Sequence, residues 1–195
     1  MQPIVHIVRT LYRTLCREAQ DEDIIELLNE FAAWRGHMEE ISLQEVTREN
    51  WSSALRLAVH PEQQCFIADY VPIAAIALAK AYIRPGGLVW VPYAFYANTE
   101  MVGFTTLAYE PGSMANYWIF HFFIDSSHQG RGYGKKALQL FLRFIKDQYP
   151  ECCSIQLNVH PENKRAQRLY LSEGFLPTGT EVDGEPVYRL ILKEH

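Results

Sequence analysis

The stretch HQGRGYGKK, His128 to Lys136, constrains the fold of this chain more than any other. Glycines stand at positions 130, 132 and 134, among Gln129, Arg131, Lys135 and Lys136. Before it comes an aromatic and β-branched run, Asn116 to Ile124, which reads as a strand. After it comes a helical pattern from Gly132 to Asp147 that sets Ala137, Leu138, Phe141, Phe144 and Ile145 on one face. A strand therefore enters a helix through a turn of alternating glycines. The first turn of a helix exposes unpaired N–H groups and the positive end of its dipole. Glycine lets the backbone approach a ligand with no Cβ in between. With the basic side chains around it, the turn predicts a phosphate cradle.

Spacing excludes two common phosphate loops. A P-loop requires G-x-x-x-x-G-K-[ST]. Here Gly134-Lys135 is followed by Lys136, and position 129 is Gln. A dinucleotide fingerprint requires G-x-G-x-x-G after a first parallel strand. Here the glycines follow G-x-G-x-G, behind segments that read as antiparallel hairpins.

The rest of the chain supplies the layers for such a turn. Ile41 to Val46 reads as a strand, and Thr47 as the N-cap of a helix reaching about Val59. A second helix is predicted from Pro72 to Ile83, closed by the turn signal Arg84 to Gly87. Val89 to Tyr96 and Met101 to Tyr109 precede the Asn116 strand as hairpin partners. Cys153, Ile155, Leu157 and Val159 alternate with polar residues as in a strand with one apolar face. A helix from Asn163 to Ser172 ends at Gly174, and two strands, Phe175 to Glu181 and Pro186 to Leu192, flank the hairpin signal Asp183-Gly184. Residues 1–40 read as an N-terminal helical extension, with Ile4, Ile7, Val8, Leu11 and Leu15 at helical spacing, and 41–195 as one domain.

A net charge of −5 argues against nucleic acid as a partner. No apolar run reaches the roughly 18 residues of a membrane span, and MQPIVHIVRT lacks the pattern of a secretory signal. Cys16, Cys65, Cys152 and Cys153 fit no zinc spacing and read as reduced thiols. These observations predict a cytoplasmic protein without a metal site. A homodimer is left open.

Gln129 to Gly134 matches the Q/R-x-x-G-x-G/A motif of the GNAT family of N-acetyltransferases, and the chain resembles that family. Phe122-Phe123-Ile124-Asp125 resembles the family's fourth strand. NVHPENKRAQRLYLSEGF, Asn158 to Phe175, resembles its second signature. Together the two motifs and the element order cover about Ile41 to Leu192. MVGFTTLAYEP, YWIFHFFID and DGEPVYRL look most like bacterial diamine and spermine/spermidine acetyltransferases. The resemblance implies an α/β fold of GNAT type, with a mixed, mostly antiparallel central sheet of about seven strands flanked by helices.

It also implies a reaction: acetyl-CoA donates its acetyl group to a primary amine, with polyamines as the first acceptor to consider. By resemblance, Phe122, Phe123 and Ile124 pair with the pantetheine arm. The pyrophosphate meets Gln129, Gly130, Arg131, Gly132, Tyr133, Gly134 and Lys135. Asn163 touches the cofactor, and Tyr170 matches the general acid that protonates the departing thiolate. Polyamine acetyltransferases of the family often carry an acid four residues before the Ile124 position, where this chain has Phe120. The base is therefore open. His121 is one candidate, placed by strand alternation on the face opposite Phe120, with Ile119 and Phe123. Glu110 is another, as is a water chain past Tyr93, Tyr96 or Tyr109. Phe120, Glu110 and Tyr93 are the expected acceptor contacts. Other acceptors, such as an amino acid, an aminoglycoside-like amine or a protein amine, stay open, as does an acyl-CoA-binding domain without catalysis.

Overall fold

A computed structural model describes residues 40–67 and 72–193. Residues 1–39 of the helical extension read over 1–40, Cys16 among them, lie outside the described residues. The strands are β1 (Ile41–Glu45), β2 (Val89–Ala97), β3 (Glu100–Tyr109), β4 (Tyr117–Ile124), β5 (Ser154–Asn158), β6 (Leu176–Val182) and β7 (Glu185–Ile191). The helices are α1 (Trp51–Ala54), α2 (Ile73–Ile83), α3 (Tyr133–Gln148) and α4 (Lys164–Ser172). All seven strands join one sheet in the order β1-β2-β3-β4-β5-β7-β6. Only the β4–β5 pair is parallel; the others run antiparallel.

Period-two alternation divides each central strand between two apolar layers. Tyr93 and Phe95 of β2 and Leu107 of β3 pack with Leu138, Phe141 and Ile145 of α3. Ala94 of β2, Phe104 of β3 and Phe123 of β4 pack with Ile73, Ala74 and Ala77 of α2 and with Ala54 of α1. Each large side chain fully buried in these layers contributes about 1.5–3 kcal/mol. Phe141 is fully buried and meets Tyr93, Phe95 and Phe144 edge-on or stacked, so its truncation to Ala would cost about 3–5 kcal/mol.

The first helix differs from its reading. A helix reaching Val59 is expected, but α1 ends at Ala54. The backbone at Ala58 is held elsewhere: its N–H donates to Asp125 Oδ2 at 2.9 Å and its carbonyl accepts from Ser126 N at 2.7 Å. Pro61 then opens a 3₁₀ segment, Pro61–Phe66. The price of a continuous helix would be both tethers to the loop after β4. Cys65, Cys152 and Cys153 are free thiols, as read.

Two irregularities in β4 open the sheet near its centre. The strand pairs with β5 only at Tyr117↔Ile155 and Trp118↔Gln156. Beyond Trp118 the two strands separate, leaving one edge of β4 without a neighbour. On the β3 side, Thr106 faces Phe120 and Phe104 faces Phe123, so His121 and Phe122 together oppose Thr105. That is a β-bulge, and His121 has φ of 51°. A non-glycine residue held there stores on the order of 1–3 kcal/mol.

Candidate active site

Two cavities open where β4 and β5 part. The first, about 470 Å³, lies under the N-terminus of α3. Its walls include Phe122, Phe123 and Ile124 of β4, Gln129, Gly130, Gly132, Tyr133, Gly134 and Lys135 of the glycine turn, and Asn163 and Tyr170 of the α4 segment. Gly130 and Gly132 have φ of 80° and 79°. In this left-handed region a side chain is strained. Among the described residues, the N–H groups of Gly130, Arg131 and Gly132 meet no acceptor. Those of Tyr133 to Lys135 belong to the first helical turn, where no intrahelical partner exists. Unsatisfied donors and the dipole of a sixteen-residue helix converge on one spot, with Lys135 at its wall and the Lys135 Nζ 3.5 Å from Glu173 Oε1. This donor set fits a pyrophosphate.

Arg131 and Gln129 are used differently. Arg131 turns back, its Nη2 donating to Ser127 O at 3.3 Å, and does not line the cavity. Gln129 Nε2 donates to Ile124 O at 3.0 Å and to Gln63 Oε1 at 2.8 Å, while Gln63 Nε2 donates back to Gln129 Oε1 at 3.2 Å. The Gln129 side chain thus ties the end of β4 to the 3₁₀ segment. Asn163 caps α4, its Oδ1 accepting from Ala166 N at 3.1 Å.

The second cavity, about 490 Å³, adjoins the first and shares Phe66, Ile67, Phe122, Asn163, Ala166 and Tyr170 with it. Its remaining wall includes Phe120, His121, Lys80, Asn158, Asp183 and Glu185. Tyr170 stands at the junction, 6% exposed, with Phe122 and Phe175 edge-on. Burial, and then the charge of Glu185, push its phenol well above the usual value. It remains protonated at any working pH, as a proton donor must.

His121 sits in the same cavity as Phe120, not on the opposite face. The bulge corrects the alternation: Ile119 falls in the α3 layer and Phe123 in the α2 layer, and His121 turns with Phe120 toward the cavity. Its Nδ1 lies 3.4 Å from Thr106 Oγ1. Burial, and then the positive charge of Lys80, push it down to about 4. Such an imidazole is neutral at pH 7 and too weak a base to strip an alkylammonium.

The geometry does not bring Tyr93 or Glu110 to either cavity. Tyr93 points to the α3 layer, 5.1 Å from the ring of Phe144. Glu110 is exposed in the β3–β4 turn, where its carboxylate accepts from Asn116 Nδ2 at 3.0 Å. Tyr109 stacks on Tyr117 at 5.4 Å on that same layer. Conversely, Lys80, Asp183 and Glu185 line the second cavity although the sequence assigns none of them a role; Asp183 and Glu185 fall within the DGEPVYRL stretch and Lys80 within no motif. Lys80 interrupts an Ala-rich helix, and Asp183 reads only as a hairpin residue. Their sequence signals carry local structure and no chemistry.

Residues 51–175 match the model of the acetyltransferase (GNAT) family. A spermine/spermidine N(1)-acetyltransferase of Bacillus subtilis is 30% identical over 153 residues, which cover 75% of this chain and 95% of the relative. Among solved structures, a spermidine N-acetyltransferase from Vibrio cholerae, in complex with coenzyme A and spermine, superposes with a TM-score of 0.60 at 18% identity, covering 76% of this chain and 92% of that one. An aminoglycoside acetyltransferase in complex with coenzyme A gives 0.63 at 19% identity, covering 78% and 95%. The chain belongs to the GNAT family of acetyltransferases and is an acetyl-CoA-dependent N-acetyltransferase.

Proposed function

We propose that the first cavity holds acetyl-CoA, the second holds a small primary amine, and the polyamines spermidine and spermine are its first acceptors. The observation that carries this reading is the junction: two cavities of similar size share the Tyr170 and Phe122 wall. The free edge of β4 from Phe120 onward offers backbone groups to the amide arm of the donor. The bulge at His121 and Phe122 leaves a residue outside the β3 ladder, and its strand N–H is the donor for the oxyanion that forms as the amine attacks. Holding both reactants at this junction supplies the effective concentration for direct transfer. Tyr170 returns a proton to the thiolate. His121 is too weak to serve as the base, so the amine that attacks is the neutral fraction already set by its acid–base equilibrium with bulk solvent. Asp183 and Glu185 supply negative charge for the distal ammonium of a polyamine.

A second reading keeps the donor and changes the acceptor to a monoamine. It is favoured by Lys80, a cation in the acceptor cavity, and by Phe120, where polyamine enzymes of the family often carry an acid. Thiol release measured over a panel of amines decides between them. Spermidine turnover at a submillimolar KM, with that KM raised by Asp183→Asn, supports the polyamine reading. No polyamine turnover, with turnover of a monoamine, overturns it.

A further inference from the structure

The acceptor cavity already contains one primary alkylamine, and it belongs to the protein. Lys80 stands in the last turn of α2 and lines that cavity, half-buried. Its Nζ lies 4.8 Å from the centroid of the Trp90 ring and 5.6 Å from that of Phe120. The two rings stack at 4.9 Å and form a single aromatic face. Such a face holds an alkylammonium; Phe120 lines the cavity and Trp90 backs it from behind the wall, so Lys80 sits where the cavity meets a cation-binding face. Its four-carbon arm ending in an amine is chemically the aminobutyl arm of spermidine. None of the ion pairs among the described residues includes it. Burial lowers its pKa, against the opposing charge of Asp183, and so favours the neutral, nucleophilic amine. Its charge is felt at His121, in the bulge next to the Phe122 wall between the cavities.

Resting on the reading of the two cavities as donor and acceptor sites, we propose that Lys80 is a self-acetylation site. When no free amine is present, neutral Nζ attacks the thioester carbonyl. A C–N bond forms, the C–S bond breaks, the acetyl group stays on Lys80, and coenzyme A leaves as its thiol. The second proton of the original ammonium goes to solvent. Four rotatable methylenes let Nζ swing from the aromatic face toward the junction. The product is a neutral amide that fills the acceptor cavity, so the modified enzyme is closed to free amines until it is deacetylated. The exposed lysines Lys136, Lys146 and Lys193 line neither cavity and act as internal controls.

The test incubates the full chain with acetyl-CoA alone and follows intact mass and peptide maps. The expected result is one acetyl group on the Lys80 peptide, gained at a rate independent of enzyme concentration. Excess spermidine suppresses it, Lys80→Arg loses it, and Tyr170→Phe slows it about a hundredfold. The proposal is overturned if Lys80 stays unmodified, or gains acetyl no faster than Lys136, Lys146 and Lys193. A parallel thiol-release assay with spermidine keeps the two readings apart. Turnover with an unmarked Lys80 removes self-acetylation and leaves amine transfer standing; loss of both removes both.

Discussion

The cavities proposed for donor and acceptor share a wall but are built on different principles. The donor cavity takes its recognition from backbone: unpaired N–H groups, two glycines in the left-handed region and the free edge of β4. These come mostly from one continuous stretch, Phe122 to Lys135. The acceptor cavity takes its recognition from side chains on separate segments: Lys80 on α2, Phe120 and His121 on β4, Tyr170 on α4, Asp183 and Glu185 around the last hairpin. A backbone cradle is tied to its loop geometry and specifies one ligand class. A cavity of side chains can be retuned by single substitutions, which is how one fold keeps its donor and changes its acceptor. The contrast fails if a change on one side moves the other's affinity as strongly as its own.

The largest effect is expected at the shared wall. Tyr170→Phe keeps the ring packing and removes the proton, so kcat falls about a hundredfold, while calorimetric Kd for acetyl-CoA changes less than about twofold. An unchanged kcat across the pH range would remove Tyr170 as the acid. The next effect belongs to the acceptor side alone. His121 is pushed from 6.5 to about 4, first by burial and then by Lys80. Across that window the unfolded chain binds a proton that the native chain refuses, so native stability is intact above pH 6.5 and is lost as pH falls toward 4. Urea unfolding at pH 7.5 and 4.5 should show the wild type losing up to about 3 kcal/mol more than His121→Asn. Parallel losses in both proteins would show that the imidazole is solvated and the contrast too sharply drawn.

The same contrast explains what was legible in the sequence. Gly130, Gly132 and Gly134 mark the turn that lines the proposed donor cavity, because a backbone cradle demands a residue type at a spacing. The helix after them is read correctly from its apolar face. The acceptor site resists reading because its parts lie far apart in the chain and each has an ordinary local explanation. Lys80 reads as one charge in an alanine-rich helix, and Asp183 as a turn. His121 is the sharpest case: period-two alternation assigns it to the face opposite Phe120, and only the β3–β4 register reveals the extra residue that turns it. A bulge of this kind depends on Thr105 and Thr106 across the ladder, whose hydroxyls contact Phe120 O and His121 Nδ1. That long-range pairing leaves no periodic trace. Residues 55–59 fail for a related reason, since the tether from Ala58 to Asp125 competes with local helical hydrogen bonds.

A smaller effect, confined to the donor side, is expected from Gly132→Val. With φ of 79°, a β-branched residue is strained there by about 1–2 kcal/mol. Relief of that strain rotates the N–H groups away from the phosphate. Acetyl-CoA Kd should rise about tenfold, the factor that corresponds to 1.4 kcal/mol. The amine KM, measured at saturating donor, should stay where it is. An equal rise in amine KM would mean that the Gln63–Gln129 tie transmits the change to the acceptor wall, and the two regions would then have to be treated as one.

The smallest effect tests the acceptor side by itself. Trp90 donates its indole N–H to Pro85 O at 3.4 Å and offers its face to Lys80. Trp90→Leu keeps an apolar side chain in the layer and removes the aromatic face. A cation–π contact at a partly exposed site is worth about 0.5–1 kcal/mol, so amine KM should rise about two- to fivefold. Trp90 lines neither cavity and reaches the acceptor wall through its stack on Phe120 and its contact with Lys80, so acetyl-CoA Kd should not change. If acceptor and Lys80 compete for the same face, the substitution slows spermidine turnover at low amine and Lys80 acetylation by a similar factor. If only one of the two responds, the ammonium of the free acceptor rests elsewhere in the cavity, nearer Asp183 and Glu185 than the Trp90–Phe120 stack.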